Sequence, residues 1–268
     1  MSSEFGQSLK YLLFRYVLKQ PFLMAKENKF GLLYKFKTED VVGRHIYKRG
    51  KYESHISDFL SEKFKFNEGD IALDIGANIG WYSILLNKLM PESGKIYAFE
   101  PDPLNFKLLS ENIKLNTATN VVAVNNALSD KNETKKLYRY SSKNLGRHSL
   151  LDINKADYIE VEALVLDQFL QNQNIDISKV KFVKIDIEGY EYFALSGASR
   201  VLDHVQCLIG EFVPEHMERG GIKPELLINL MQNKGFRPNV IKGGEVCSIS
   251  SDDLLQGSAC DIIWLRVE

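Results

Sequence analysis

Cysteine is scarce: the 268-residue chain carries three, Cys207, Cys247 and Cys260. An odd number with no Cys-x-x-Cys spacing supports neither a disulfide framework nor a thiolate zinc site, and a reducing, cytoplasmic setting is expected. No apolar run reaches the ~20 residues needed to cross a bilayer. The N-terminus also lacks the apolar core and small-residue exit of a cleavable signal, so a soluble intracellular protein is expected. Excess charge of either sign is missing: 34 basic against 35 acidic residues leave a net charge of −1. A nucleic-acid backbone demands clustered positive charge, and no nucleic-acid partner is expected. Repeats and low-complexity linkers are absent too, which argues against a solenoid. What is present, 44% hydrophobic and 26% charged residues, is ordinary globular material, enough for one large α/β domain with an appendage.

One stretch stands out, Ile71-Ala-Leu-Asp-Ile-Gly-Ala-Asn-Ile-Gly80, which runs directly into the apolar segment Trp81 to Leu86. A short apolar run passing through Asp74 and a Gly-x-x-x-Gly turn into an apolar segment reads as strand, tight loop, helix. Gly76 and Gly80 can take positive φ, and the free N–H groups at a helix start favour a carboxylate or phosphate. With Ala77 and Asn78 between the glycines, the spacing is neither the phosphate loop nor the dinucleotide Gly-x-Gly-x-x-Gly. An acid before the loop and little positive charge suit a zwitterionic amino-acid end better than a polyphosphate. Lys95 to Phe99 is a second strand, closed by Glu100 and Pro101. Its acid stands about twenty residues beyond the loop, the offset of the ribose ligand in Rossmann-type sites. A carboxylate accepts from two free ribose hydroxyls and repels a 2′-phosphate, so adenosine is favoured over an NADP-type cofactor.

The segments DIGANIGWYS and YAFEPDPLNFKLLSENIKLN resemble the class I S-adenosylmethionine-dependent methyltransferases and, within them, the FkbM family. The resemblance continues through NNALSD, GRHSL and VKIDIEGYE, in that order, over roughly residues 50 to 265. It implies a Rossmann-like α/β fold: a seven-stranded, mostly parallel sheet with an antiparallel last strand and helices on both faces. It further implies bound S-adenosylmethionine and O-methylation of a sugar, glycan or secondary metabolite. Carried onto this chain, the cofactor contacts are Glu53, Asp74, Gly76, Ala77, Asn78, Gly80, Glu100, Pro101, Asn126, Ala127 and Asp186. Asn126 offers the donor and acceptor that read an adenine edge, although an Asx turn uses the same groups.

Taken in order, residues 1–50 read as an N-terminal helix and small cap before a methyltransferase domain at 51–268. Leu9, Leu12, Leu13, Tyr16 and Val17 share one helical face, with Lys10, Arg15 and Lys19 off it. Such a helix packs on the main domain or a second subunit; the alternative is a helix resting weakly on acidic lipid. Residues 30–50 look like short strands, including the segment from Gly43 to Tyr47. Residues 131–165 alternate charged and apolar side chains as a β-hairpin insertion, whose family-matched loop places Arg147, His148 and Ser149 near the site. The closing strands, 236–241 and 260–266, are expected to flank a surface loop.

Three further acids complete the pattern. Val180 to Ile185 forms a strand ending at Asp186 with Glu188 just beyond, and the strand from Val205 ends at Glu211 with His216 five residues on. Each acid singly is what also caps a following helix; together they line the carboxyl rim of one sheet, where ligands gather. A sugar hydroxyl is a weak nucleophile and needs a base or metal, so Asp186, Glu188, Glu211 and His216 are the catalytic candidates. With Phe212 and Val213 following Glu211, no third ligand stands beside it, and no metal is expected. N- or C-methylation of a small molecule, a non-catalytic cofactor-binding partner in a biosynthetic complex, and a Rossmann oxidoreductase are the alternatives.

Overall fold

The computed structural model describes residues 2–139, 148–152 and 157–267, so the Arg147 position lies outside the described residues. Helix α1 (Ser2–Leu12) continues into a π-helical turn (Leu13–Val17), then the antiparallel pair β1 (Phe22–Lys26) and β2 (Leu33–Lys37). The expected strand around Gly43 is instead part of helix α2 (Val41–Arg49), whose N-cap Asp40 accepts from the Gly43 N–H. A Cβ on Gly43 would sit 2.0 Å from the Phe36 ring, so the glycine is what lets α2 lie on β2. Helix α3 (Ser54–Glu62) leads into the core.

The core alternates as the periodicity predicts: β3 (Ile71–Ile75), α4 (Trp81–Leu89), β4 (Lys95–Phe99), α5 (Pro103–Leu115) and β5 (Val121–Val124). Strand β3 is buried along its whole length, as befits a central strand covered on both faces. The insertion that follows is richer than a hairpin. Strands β6 (Ala127–Leu128), β7 (Glu133–Arg139), β8 (His148–Ser149) and β9 (Tyr158–Leu164) make a four-stranded sheet in the order β6-β9-β7-β8.

The chain then returns to the core with α6 (Leu166–Asn172), β10 (Val180–Ile185), α7 (Glu191–Ser196), α8 (Ser199–Leu202) and β11 (Cys207–Phe212). It closes with α9 (Pro214–Arg219), α10 (Pro224–Asn233), β12 (Phe236–Lys242), β13 (Glu245–Ser248), α11 (Ser251–Gln256) and β14 (Cys260–Arg266). The stretch read as a surface loop thus holds a strand and a helix. Gly243 and Gly244, both at positive φ, turn β12 back onto β13, which adds an eighth strand at the sheet edge.

The main sheet runs β13-β12-β14-β11-β10-β3-β4-β5, parallel from β11 to β5, with β14 antiparallel to β11. Alternate residues feed two apolar layers. Ala72, Ile96, Phe182 and Ile209 join α4 and the N-terminal elements, while Leu73, Val183 and Leu208 pack against the α7 to α10 side. Strand order reverses between β3 and β10, so the carboxyl ends of β3, β4, β10 and β11 open on one crevice. Among the described residues no helix is long and apolar enough to cross a membrane.

Candidate active site

Two adjoining cavities occupy that crevice and share Gly76, Asn78 and Asp186. One is lined by Glu100, Pro101, Asn126, Ala127, Leu128 and Ile187, the other by Tyr52, Asp74, Ala77, Trp81, Tyr82 and Lys184. A two-lobed cleft of this kind suits an adenosine joined to an amino acid, with the junction over Asp186.

The glycines serve the loop for a reason that sequence reading placed elsewhere. Gly76, at φ 79°, has its missing Cβ position 2.0 Å from the Asp186 carbonyl oxygen, so any side chain would push β3 and β10 apart. Gly80 likewise admits Leu109 of α5. The loop N–H groups of Gly76 and Ala77 go to the Phe99 carbonyl. Asn78, left-handed at φ 52°, donates its N–H to the Glu100 carboxylate at 2.7 Å.

Glu100 also accepts the Asp102 N–H at 2.9 Å. It is 5% exposed, and burial pushes its carboxyl up to about 8 against these two hydrogen bonds. Ribose hydroxyls donating to it would favour the charged form. Asn126 lines the same lobe, and its side-chain N–H₂ donates to the Glu162 carbonyl of β9. Asn125 does the anchoring, donating to the Glu100 carbonyl at 2.8 Å.

In the other lobe Asp74 is buried, accepts the Ser83 hydroxyl at 2.5 Å and is pushed up to about 6 by burial. Sequence reading missed its cationic neighbour. Lys184 is 3% exposed, 3.5 Å from Asp186, with its ammonium over the Tyr82 ring. Burial pulls Lys184 down, yet Asp186, Glu53, Asp74 and Asp261 outweigh it and hold its pKa above the ordinary value. Alternation along β10 could have signalled it, since a lysine among Phe182, Val183 and Ile185 in a two-sided strand must point inward. Glu53 stands at the α3 N-cap position without capping it; its carboxylate takes the Tyr82 hydroxyl instead. Two buried polar groups lining this lobe, the Trp81 indole N–H and the Asn78 side-chain oxygen, have no hydrogen-bond partner among the described residues. An unmet donor and acceptor, with Lys184 and Asp74 beside them, fit the carboxylate and ammonium of an amino-acid end.

The four catalytic candidates converge. Oxygens of Asp186, Glu188 and Glu211 all lie within 4.8 Å of one another, so Glu188 supplies the third carboxylate that the sequence around Glu211 did not offer. Glu188 reaches them because it is left-handed at φ 54° and is followed by Gly189 at φ 97°. A Cβ on Gly189 would stand 3.0 Å from the Cβ of His216 and 3.2 Å from Leu151. That absence lets α9 bring the His216 Nδ1 to 3.3 Å from Glu188. Glu211 is pushed up to about 7 by burial and by Asp186 and Asp261, against the pull of Lys184, and its side chain makes no hydrogen bond or ion pair among the described residues. Buried Glu191, which accepts N–H bonds from Ile187 and Gly189, braces the turn from beneath.

His148 belongs elsewhere. Its side chain is 7% exposed, 3.7 Å from Asp102 at the adenosine lobe, and burial lowers its pKa. Asp102, which caps α5, also takes a two-pronged bond from Arg139 at 2.7 and 2.9 Å, tying the insertion to the ribose loop. Ser149 donates to the Glu188 carbonyl at 2.9 Å and ties the same sheet to the turn that carries Glu188.

Fold and crevice together define a class I methyltransferase. Residues 74–238 match the Methyltransferase FkbM domain, and the chain belongs to that family. It is an S-adenosylmethionine-dependent methyltransferase. It is 27% identical to Methyltransferase sdnD of Sordaria araneosa over 213 residues, which cover 69% of this chain and 80% of that protein. To Hexuronic acid methyltransferase AglP of Haloferax volcanii it is 23% identical over 175 residues, 65% of this chain and 66% of the relative. Among solved structures, Methyltransferase FkbM from Methylobacillus flagellatus superposes with a TM-score of 0.46 at 14% identity, covering 83% of this chain and 52% of that one.

Proposed function

We propose that the protein methylates a hydroxyl group on a sugar, a glycan or a small secondary metabolite, with Glu211 as the general base. When bound, S-adenosylmethionine supplies an already activated methyl group. Asp74 and the Asn78 side-chain oxygen would receive its ammonium, Trp81 and Lys184 its carboxylate, and Glu100 its ribose hydroxyls. The residues around the reacting centre then have to align the acceptor, exclude water and take one proton.

The observation that carries this reading is the inequality within the acid cluster. Asp186 is paired with Lys184 and Glu188 lies 3.3 Å from the His216 Nδ1, whereas the Glu211 side chain has no hydrogen bond or ion pair among the described residues and burial pushes it up to about 7. A base is most useful with a pKa near the working pH, and a hydroxyl needs one where a neutral amine does not. The relative named for hexuronic acid supports a sugar as acceptor. A second reading follows from the mutual reach of the three carboxylates, which have the donor chemistry of a hard divalent cation. We favour the metal-free form because the Lys184 ammonium already supplies positive charge to the cluster, 3.5 Å from Asp186.

The test is transfer of isotope-labelled methyl from S-adenosylmethionine to a panel of hexuronic acids, neutral sugars and matched amino sugars, with and without chelator. Labelling of hydroxyl acceptors, lost in Glu211→Gln and indifferent to chelator, is expected. Labelling of amines alone would overturn the hydroxyl assignment, and loss of turnover on chelation would move Glu211 from base to metal ligand.

A further inference from the structure

The N-terminal helix turns the wrong face outward for a folded protein in water. Its apolar residues at intervals of three and four, Phe5, Leu9, Leu12, Leu13 and Tyr16, are 76%, 61%, 45%, 45% and 62% exposed. Tyr11, on the opposite side, is 2% exposed and fastens the helix by donating its hydroxyl to the Thr38 carbonyl. The expectation that the apolar face packs on the main domain therefore fails: the helix is attached by its other side. Val17 and Leu18 extend the exposed surface, and Phe22 and Met24 of β1 are exposed as well. Contiguous apolar surface of this extent marks an interaction site.

Charge decides among occupants. Residues 1–50 hold ten basic and four acidic side chains, a balance of +6, whereas the remaining 24 basic and 31 acidic residues give −7. The near-neutral whole thus conceals a basic appendage on an acidic body. Beside the helix lies a groove of about 870 Å³ lined by Lys10, Lys26, Lys48 and Arg49, with Glu4 the one acid on its wall. Glu4 is engaged by Arg49. The cations crowd one another: burial, then Arg44, Arg15 and Arg49, pulls Lys48 below its ordinary pKa. A two-fold contact between copies through this helix would bring the basic flanks toward each other, at a Coulombic cost. A layer of anionic headgroups under the apolar stripe matches both features.

We propose that the protein docks by this face on an anionic lipid surface, with the apolar stripe of α1 lying in the headgroup region and Lys10, Lys26, Lys48 and Arg49 over lipid phosphates. Among the described residues no helix is long and apolar enough to cross the bilayer, so the proposed contact is peripheral and reversible. Docking would hold the crevice at the membrane–water boundary, and it stands apart from the transfer chemistry.

The experiment is co-sedimentation of the full chain with vesicles of phosphatidylcholine alone and with vesicles enriched in phosphatidylglycerol, at low and high salt. Binding to the anionic vesicles, weakened by salt, with little on the neutral ones, is expected. Leu9→Asp with Leu13→Asp, both at exposed positions, should abolish it. Lys10→Glu with Lys26→Glu should weaken it more than tenfold, since each charge near an anionic surface is worth about fivefold. Both double variants should keep the parent's melting temperature and its response to S-adenosylhomocysteine. Failure to sediment with anionic vesicles overturns the proposal. So does a parent that light scattering shows to be a dimer and that Leu9→Asp with Leu13→Asp turns into a monomer, which would give the face to a second copy.

Discussion

Replacing Glu100 by glutamine is expected to stabilise the ligand-free protein at neutral and alkaline pH while weakening its hold on S-adenosylhomocysteine. Glu100 is buried and raised from an ordinary 4.5 to about 8. Between those values the folded protein keeps a proton that the unfolded chain releases, so stability falls as pH rises from 4.5 to 8. At 1.36 kcal/mol per unit, the cost is on the order of 3 kcal/mol at pH 7 and approaches 5 above pH 8. Glutamine cannot ionise and is spared that cost. Its N–H₂ replaces one of the two carboxyl oxygens that accept from the Asn78 and Asp102 N–H groups, leaving one of those donors unmet, a loss of roughly 1–3 kcal/mol that varies little with pH. The variant should therefore be no more stable than the parent at pH 5 and should gain on it by roughly 3 kcal/mol by pH 8. In a chain of this size that is about 6 °C. Asp74, Glu191 and Glu211 are also raised, but they are present in both proteins and cancel. Thermal melts at pH 5, 6, 7 and 8, repeated with S-adenosylhomocysteine, measure both effects. A stability difference that stays constant with pH would refute the buried-acid argument, and equal stabilisation of both proteins by the ligand would remove Glu100 from the ribose site.

As the proposed base, Glu211 would act only when deprotonated, so kcat/KM of the parent should rise with pH through about 7 and level off above it; a profile flat from pH 5 to 9 would remove Glu211 as base. Lys184→Met leaves Asp74, Asp186 and Glu53 facing one another without their cation, so urea denaturation should show a loss of roughly 3–5 kcal/mol. A loss under 1 kcal/mol would make the lysine incidental. Gly76→Ala and Gly221→Ala share positive φ, 79° and 76°, but only the first places its Cβ against backbone, 2.0 Å from the Asp186 oxygen. Gly221→Ala should therefore melt within a few degrees of the parent and Gly76→Ala far below it; equal losses would mean that backbone strain alone, not the approach of β10, requires the glycine.

What the sequence made legible is what neighbouring residues write together. Strand, glycine bend and helix at 71–86, the acids at the ends of β3, β4, β10 and β11, and the order of the core units all follow from periodicity and turn chemistry within a short window. The N-terminal cap was less legible. The segment Gly43 to Tyr47 is apolar and aromatic enough to look like a strand, and it forms a helix because Asp40 caps it and a glycine lets it lie on Phe36. The edge strand β13 was missed because its stability comes from its pairing with β12 across a glycine turn, not from an apolar pattern of its own.

The acid cluster shows the same division at the scale of single atoms. Position along the chain puts Glu188 two residues past Asp186, which in regular backbone would send it toward the next helix as a cap. Its left-handed conformation, followed by Gly189, turns it back across the crevice instead, so that two carboxylates from one strand end meet a third from the next. Gly189 then has a second task that spacing cannot reveal: it clears the room into which α9 lowers His216. Glu188 is set beside the histidine and Asp186 is paired with Lys184, whereas the Glu211 side chain has no ion pair among the described residues; that difference is why we propose it, out of four candidates the sequence ranks equally, as the proton acceptor. The proposed assignment therefore rests on the pairing of charges, which only the folded chain decides, whereas the residue types from which it is drawn were already set out along the strand ends.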